Sequence, residues 1–328
     1  MTTIWAGILA FAVSAAAGKL LIPILRAMKA GQSIKEIGPN WHQSKSGTPT
    51  MGGLMFMLAC VVAVLALGWR DIAAGDYSAL FVLLFALVFG VIGFVDDYAK
   101  VKKKENTGLT AGWKFLLQLA VSIAFLALMR YGGDLSPNLY VPFFNLSVAL
   151  PWPVYLVFAA FVIVGCVNAV NITDGVDGLA ASVTVPVGVF FAALASWWDK
   201  GAVGVFAGAL VGGLLGFLLY NFHPARVFMG DTGPLFLGGA VCGLAFALDV
   251  PLVLITVGVI YIAETMSDII QVGYFKLSGG KRIFRMAPLH HHLEMGGWGE
   301  VRIALTFTGI TVAFCLLSFV GVMYRYLI

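Results

Sequence analysis

The stretch Val91–Lys104, VIGFVDDYAKVKKK, decides how the rest of the chain is read. It closes an apolar run over 78–95 that has the character of a membrane helix. The run breaks off into two adjacent carboxylates, Asp96 and Asp97, followed by Lys100, Lys102, Lys103 and Lys104. If the helix continues, Asp96 and Lys100 share a face at i,i+4. Neighbouring carboxylates at a membrane surface repel each other, and a cation between them, Mg²⁺ or a lysine, relieves that repulsion. Taken alone, the stretch reads more plainly as a solvated helix end, so the other polar segments carry the decision.

Working outward, 60% of the 328 residues are hydrophobic and 11% are charged, against about 25% charged in a soluble domain. The composition predicts an all-α polytopic membrane protein, a single integral domain over 1–328. A crossing helix needs about 20 apolar residues. Ten segments qualify, at 4–25, 51–69, 78–95, 113–131, 153–171, 179–197, 203–220, 235–249, 251–275 and 303–327. The eighth is short, and the ninth carries Glu264 and Asp268. The first could be mistaken for a signal peptide, but no Lys or Arg precedes its apolar run, and it is read as a retained span. The four cysteines lie inside apolar runs with no metal-ligand spacing and no disulfide framework.

Ten spans put both termini on one side. Arg70, Arg130, Lys200 and Arg325 then fall together, Lys19 lies inside the first span, and the other 15 of the 20 basic residues fall on the opposite side. The positive-inside rule makes that opposite side cytoplasmic and both termini periplasmic or extracellular. The same division places all five histidines and Asp96, Asp97, Asp174, Asp177 and Asp231 in cytoplasmic loops. Among the outer loops only Tyr131–Trp152 is long, with room for a short hairpin on the membrane.

Five cytoplasmic loops could therefore converge on one site. The first, Lys29–Met51, holds His42, Lys45 and the start of GTPTMGG (Gly47–Gly53). Glycines before a helix can offer N–H groups to a phosphate, but alone this reads as a turn and helix cap. The second carries Asp96–Lys104 and runs to Lys114; its lysines suit a polyanion or simple topology anchoring. The third, NAVNITDGVDGLA (Asn168–Ala181), sets Asn171, Asp174 and Asp177 at three-residue steps, more polar and glycine positions than a turn needs. They can converge on a sugar, a base edge or a metal. The fourth, NFHPARVFMGDTGPLFLG (Asn221–Gly238), places Asp231 at a helix mouth, as metal ligand or cap. The fifth, Lys276–Arg302, contains PLHHHLE (Pro288–Glu294). Three adjacent histidines cannot all point one way, zinc lacks a separated further ligand, and a role beside phosphate, as donor or acid, is preferred. Glu264, Asp268 and Gln271 add a polar stripe to the ninth span, and ionisable residues at membrane depth usually line a cavity or a protein-facing surface.

GTPTMGG, VDDYAK, NAVNITDGVDGLA, the NFHPARVFMGDTG loop and PLHHHLE, in that order, resemble the bacterial phospho-N-acetylmuramoyl-pentapeptide transferase family. That family belongs to the polyprenyl-phosphate N-acetylhexosamine-1-phosphate transferase superfamily. The resemblance spans the whole chain. It implies transfer of phospho-MurNAc-pentapeptide from its UDP derivative to undecaprenyl phosphate, giving lipid I and UMP, with Mg²⁺, in the bacterial cytoplasmic membrane. It suggests a homodimer and implies no nucleic-acid partner. It also implies a catalytic set of Asp96, Asp97, Asp231 and His290, with Asp231 the metal ligand and Asp96 orienting or deprotonating the lipid phosphate. Lys45, Lys100, Lys114, Asn171, Asp174, Asp177, Asn221, Phe228, Gln271 and His291 would bind substrate, Phe228 by stacking on uracil. Direct attack by the lipid phosphate and attack through an aspartyl intermediate both stay open, with direct attack favoured. An intramembrane prenyltransferase would share the paired aspartates but not need the Asn/Asp loop or histidines. A transporter would explain Glu264 and Asp268 but not the gathering of polar motifs on one face.

Overall fold

The computed structural model describes residues 1–28, 45, 47–103, 107–133, 135–323 and 325. Lys29, Lys35, His42, Lys104 and Asp134 lie outside the described residues. The described chain is helical apart from one hairpin. In order, α1 spans Thr2–Ala27, α2 Gly53–Leu67, α3 Trp69–Ala73, α4 Ser78–Lys103 and α5 Ala111–Gly132. Strands β1 (Asn138–Val141) and β2 (Leu146–Ala149) pair antiparallel, Asn138 opposite Ala149. Then come α6 (Trp152–Thr173), α7 (Leu179–Trp197), α8 (Gly201–Asn221) and α9 (Thr232–Ala247). A 3₁₀ turn at Pro251–Val253 leads into α10 (Leu254–Val257), followed by α11 (Val259–Leu277), α12 (Leu289–Glu294) and α13 (Glu300–Val322).

Seven described helices are long and apolar enough to cross a membrane, or eight if a bent pair counts as one span. That pair is the ninth sequence segment, read above as one span over 251–275. The chain instead turns by 77° between Pro251–Val257 and Val259–Leu277, and the break falls at Gly258, the kind of residue at which helices kink. The second and eighth segments become α2 and α9, at 15 and 16 residues the shorter apolar helices. The long segment between α5 and α6 does fold as a hairpin.

Local signals explain where helices start and stop. The Asp76 carboxylate accepts the Ser78 N–H at the head of α4 (3.0 Å). Thr110 Oγ1 accepts the Trp113 N–H at the head of α5 (3.4 Å), and Gly133, in the left-handed region, ends that helix. α8 and α9 form the centre. In its most apolar window α8 is 78% buried, against 28% for α5, so α5 presents most of its surface outward. Every residue of α9 from Thr232 to Phe246 is buried. α1 meets α8 through small residues, Gly212 lying against the Gly7 carbonyl, the close packing that small side chains allow between helices in lipid.

Helix direction gathers the polar loops. The C-terminal ends of α4, α6 and α8 and the N-terminal ends of α5, α9 and α13 supply one end of the bundle. The opposite end is closed by Arg325, whose guanidinium pairs with the Asp249 carboxylate, hydrogen-bonds the Leu248 and Asp249 carbonyls, and lies over the Tyr140 ring.

Candidate active site

Three carboxylates meet where α4 abuts the head of α9. Oxygens of Asp96, Asp97 and Asp231 all lie within 4.8 Å of one another. Asp97 is buried, and its oxygens accept from the backbone N–H groups of Asp231 (3.0 Å) and Thr232 (2.9 Å) and from the Thr232 hydroxyl (2.7 Å). These N–H groups belong to the first turn of α9, which has no intrahelical partners for them. Asp97 therefore caps α9 from outside its own helix. Asp231 sits at the N-cap position but makes no side-chain cap bond, so its carboxylate is turned outward. Gly93, one turn before Asp97, permits this contact: a Cβ there would collide with the Asp231 carbonyl and stand 2.7 Å from the Thr232 nitrogen.

Two lysines close the group. Lys100 Nζ lies 2.6 Å from Asp96 Oδ2 and 2.7 Å from Asp231 Oδ2, and Lys114 Nζ lies 2.9 Å from Asp231 Oδ2. The i,i+4 pairing of Asp96 with Lys100 is realised. Asp96 Oδ1 accepts the Leu109 N–H (2.7 Å), pinning the segment that leads into α5. Burial works against ionisation of Asp231. A hydrogen bond shared with Asp96 and the ammonium groups of Lys114 and Lys100 outweigh it, and hold the carboxyl below the usual range.

A second group lies between loops one, three and four and the head of α13. Lys45 Nζ bridges Asp177 Oδ1 (2.7 Å) and Glu300 Oε2 (2.6 Å). Glu300 also accepts the Asp177 backbone N–H (2.8 Å), while Asp177 Oδ2 accepts from His223 Nδ1 (3.0 Å) and the Ala225 N–H (2.9 Å). Burial opposes ionisation of Asp177 too, but Lys45, the Ala225 N–H and His223 together lower its pKa. Glu300 and His223 were not among the sequence candidates. Glu300 is a lone acid at a helix head, and only the fold carries it to Lys45.

Loop three joins these groups. Asp174 ends α6; burial, then the negative charges of Asp231, Asp97 and Asp177, push its carboxyl up to about 8. Asn171 and Phe228 are half-buried at the same end. Asn221 is buried, with its amide nitrogen given to the Val227 carbonyl (2.9 Å), so it shapes the turn that leads to Phe228. The glycines of GTPTMGG serve as turn and helix start. The N–H groups of its last two glycines are taken by loop four: Gly52 donates to the Phe228 carbonyl (2.8 Å) and Gly53 to the Met229 carbonyl (3.2 Å), while Phe228 N–H returns to the Pro49 carbonyl (2.8 Å).

The histidines of PLHHHLE have three different partners. His290 Nδ1 donates to Glu264 Oε2 (2.9 Å), His291 Nδ1 lies 2.6 Å from Glu294 Oε2, and His292 Nδ1 accepts the Arg285 N–H (3.1 Å). In the polar stripe of α11, Gln271 Oε1 accepts the N–H groups of Ile283 (3.1 Å) and Phe284 (2.9 Å). Its carbonyl thus holds loop five in place, a part not assigned to it from the sequence.

Comparison with known proteins bears on this arrangement. Residues 79–249, which include Asp96, Asp174 and Asp231, match Glycosyl transferase family 4. Residues 45–57, from Lys45 through GTPTMGG, match the phospho-N-acetylmuramoyl-pentapeptide-transferase signature 1. A phospho-N-acetylmuramoyl-pentapeptide-transferase of Heliobacterium modesticaldum is 48% identical over 98% of this chain and 97% of its own. One of Clostridium acetobutylicum is 45% identical over 97% of this chain and 98% of its own. The chain belongs to the phospho-N-acetylmuramoyl-pentapeptide-transferase family. A Listeria monocytogenes member of the family is 44% identical over 94% of both chains. Membership removes the prenyltransferase and transporter readings, and the apolar helices make this family member a multi-pass membrane protein.

Proposed function

We propose that this chain transfers phospho-MurNAc-pentapeptide from UDP-MurNAc-pentapeptide to undecaprenyl phosphate, forming lipid I and UMP. The observation that carries the reading is the Asp96–Asp231–Lys100–Lys114 group at the loop-bearing end of the bundle. It joins hard carboxylate oxygens to paired ammonium groups where a soluble nucleotide and a lipid phosphate can meet.

The donor set fits Mg²⁺, which binds carboxylate and phosphate oxygens. Asp231 would hold it, because Asp97 has taken over the capping of α9 and leaves the Asp231 carboxylate facing outward. Bound there, Mg²⁺ would neutralise the diphosphate and stabilise charge on the departing UMP. Lys100 and Lys114, drawn together by Asp231, are placed to bind phosphate oxygens. Asp96 fixes Lys100 and so orients the lipid phosphate rather than needing to deprotonate it. An oxygen of that phosphate bonds to the sugar-bearing phosphorus of the donor. The bridging P–O bond then breaks, and UMP leaves with the electron pair. Direct attack is supported by the engagement of each carboxylate: Asp96 with Lys100 and Leu109, Asp97 with α9, Asp231 with two lysines.

Asn171, Asp174, Asp177, Asn221 and Phe228 surround the nucleoside side in this reading, with Lys45, His290 and His291 toward phosphate and sugar. The topology proposed with it counts α2 and α9 as spans, ten in all, with both termini outside the bacterial cytoplasmic membrane and the protein a homodimer. The test offers purified protein undecaprenyl phosphate with either UDP-MurNAc-pentapeptide or UDP-N-acetylglucosamine. UMP release with the first donor alone is expected. Release with the second alone would assign the chain to a sister activity of the superfamily.

A further inference from the structure

His290 is 1% exposed, and of its two ring nitrogens only Nδ1 has a partner. Nε2 is buried with no hydrogen-bond partner. It points at loop three: a Cβ added to Gly175 would collide with Nε2 and with the neighbouring ring carbons. On the other side stands Glu264, wholly buried within α11. Its carboxylate accepts the His290 backbone N–H (3.1 Å) as well as Nδ1–H (2.9 Å), so it holds both the start of α12 and the plane of the ring. Glu264 has no lysine or arginine partner among the described residues, and its interactions are with His290 and the Ser267 hydroxyl, which turns to the Glu264 carbonyl.

We propose that Glu264 is the positioning residue of His290. It fixes the proton on Nδ1 and keeps the bare Nε2 lone pair aimed at loop three, as the acceptor for an O–H or N–H group of the nucleotide-sugar donor. A ring nitrogen's protonation follows from the hydrogen bond that the other nitrogen makes, and a carboxylate on Nδ1–H fixes the tautomer and orients the ring. The buried, unpaired acceptor beside Gly175 is what a ligand group would satisfy. This departs from the donor or acid role preferred for the histidines on sequence alone. It rests on the transferase reading only for the identity of the ligand.

Two measurements test it. The first needs no substrate: ¹⁵N spectra of histidine-labelled protein in detergent, with His290→Ala identifying the His290 signals. The expected signature is a protonated Nδ1 and a bare Nε2, kept in Glu264→Gln, whose carbonyl can still accept Nδ1–H, and lost in Glu264→Ala. A protonated Nε2 in the unaltered protein would overturn the proposal. The second is a double-mutant cycle on kcat and KM for UDP-MurNAc-pentapeptide. Glu264→Ala and His290→Ala should each lower kcat/KM by about 10–100-fold, with the double variant no worse than His290→Ala alone. Losses that multiply would show that Glu264 acts apart from His290 and overturn the proposal. Should Glu264→Ala not fold, Glu264→Leu, which fills the buried space but offers no acceptor to Nδ1–H, and Glu264→Leu/His290→Ala close the same cycle. An unaltered protein that gives the expected spectrum but releases no UMP would count against the transferase reading and leave the positioning role standing.

Discussion

Asp97 looks from the sequence like half of a metal-binding pair, yet its three bonds all go to the first turn of α9. Replacing it separates anchor from ligand. A hydrogen bond to a buried charged group contributes about 1.5–3 kcal/mol. Asp97→Ala strands two backbone donors and a hydroxyl, and a net loss of about 3–6 kcal/mol follows after partial repair by water or by the Thr232 hydroxyl turning to another acceptor. Asp97→Asn keeps one acceptor oxygen and should lose about 1–2 kcal/mol. Thermal unfolding in detergent measures both, with Asp97→Ala the less stable. The decisive comparison is the Mg²⁺ concentration that gives half-maximal turnover. In Asp97→Asn it should stay within about threefold of the unaltered protein, a difference under about 1 kcal/mol, because Asp231 is still present. A shift of tenfold or more with unchanged stability would refute the anchoring argument and make Asp97 a metal ligand.

Gly93→Ala should abolish most turnover, since its Cβ would drive the Asp231 backbone off α4; near-normal turnover would show that this contact is dispensable. Asp174 is held protonated up to about pH 8, above its unfolded value of about 3.9. The folded state therefore binds the extra proton, and the stability it contributes is full below about pH 4 and fades as pH rises to about 8. Asp174→Asn should remove that slope, which unfolding measured between pH 4 and 9 will show. Cysteine labelling should find Lys102 and Lys281 on the cytoplasmic side and Lys200 outside; Lys281 outside would break the convergence of loops.

The helical plan was legible because each segment is an apolar run closed by polar loops. The site was legible as a set of motifs, but not as a set of contacts. Asp97 and Asp231 both read as helix-end carboxylates, and which one caps α9 depends on the approach of α4 at Gly93, which no local pattern displays. Lys45 and Glu300 are joined only because the first loop and the last helix fold together. The bend at Gly258 was hidden because an apolar run continues across it. Glu264 was visible as part of a polar stripe at membrane depth, but its partner, His290, stands in loop five and is brought to it only by the fold.

In the proposed mechanism Asp231 is the carboxylate that Asp97 frees for the metal. The measurement is release of UMP from UDP-MurNAc-pentapeptide with undecaprenyl phosphate, across a Mg²⁺ titration, for the unaltered protein and for folded Asp231→Asn. Mg²⁺-dependent release in the first, and a fall of orders of magnitude in the second that added Mg²⁺ does not restore, is the predicted result. Near-normal turnover of Asp231→Asn at the same Mg²⁺ concentration would contradict it and place the metal elsewhere.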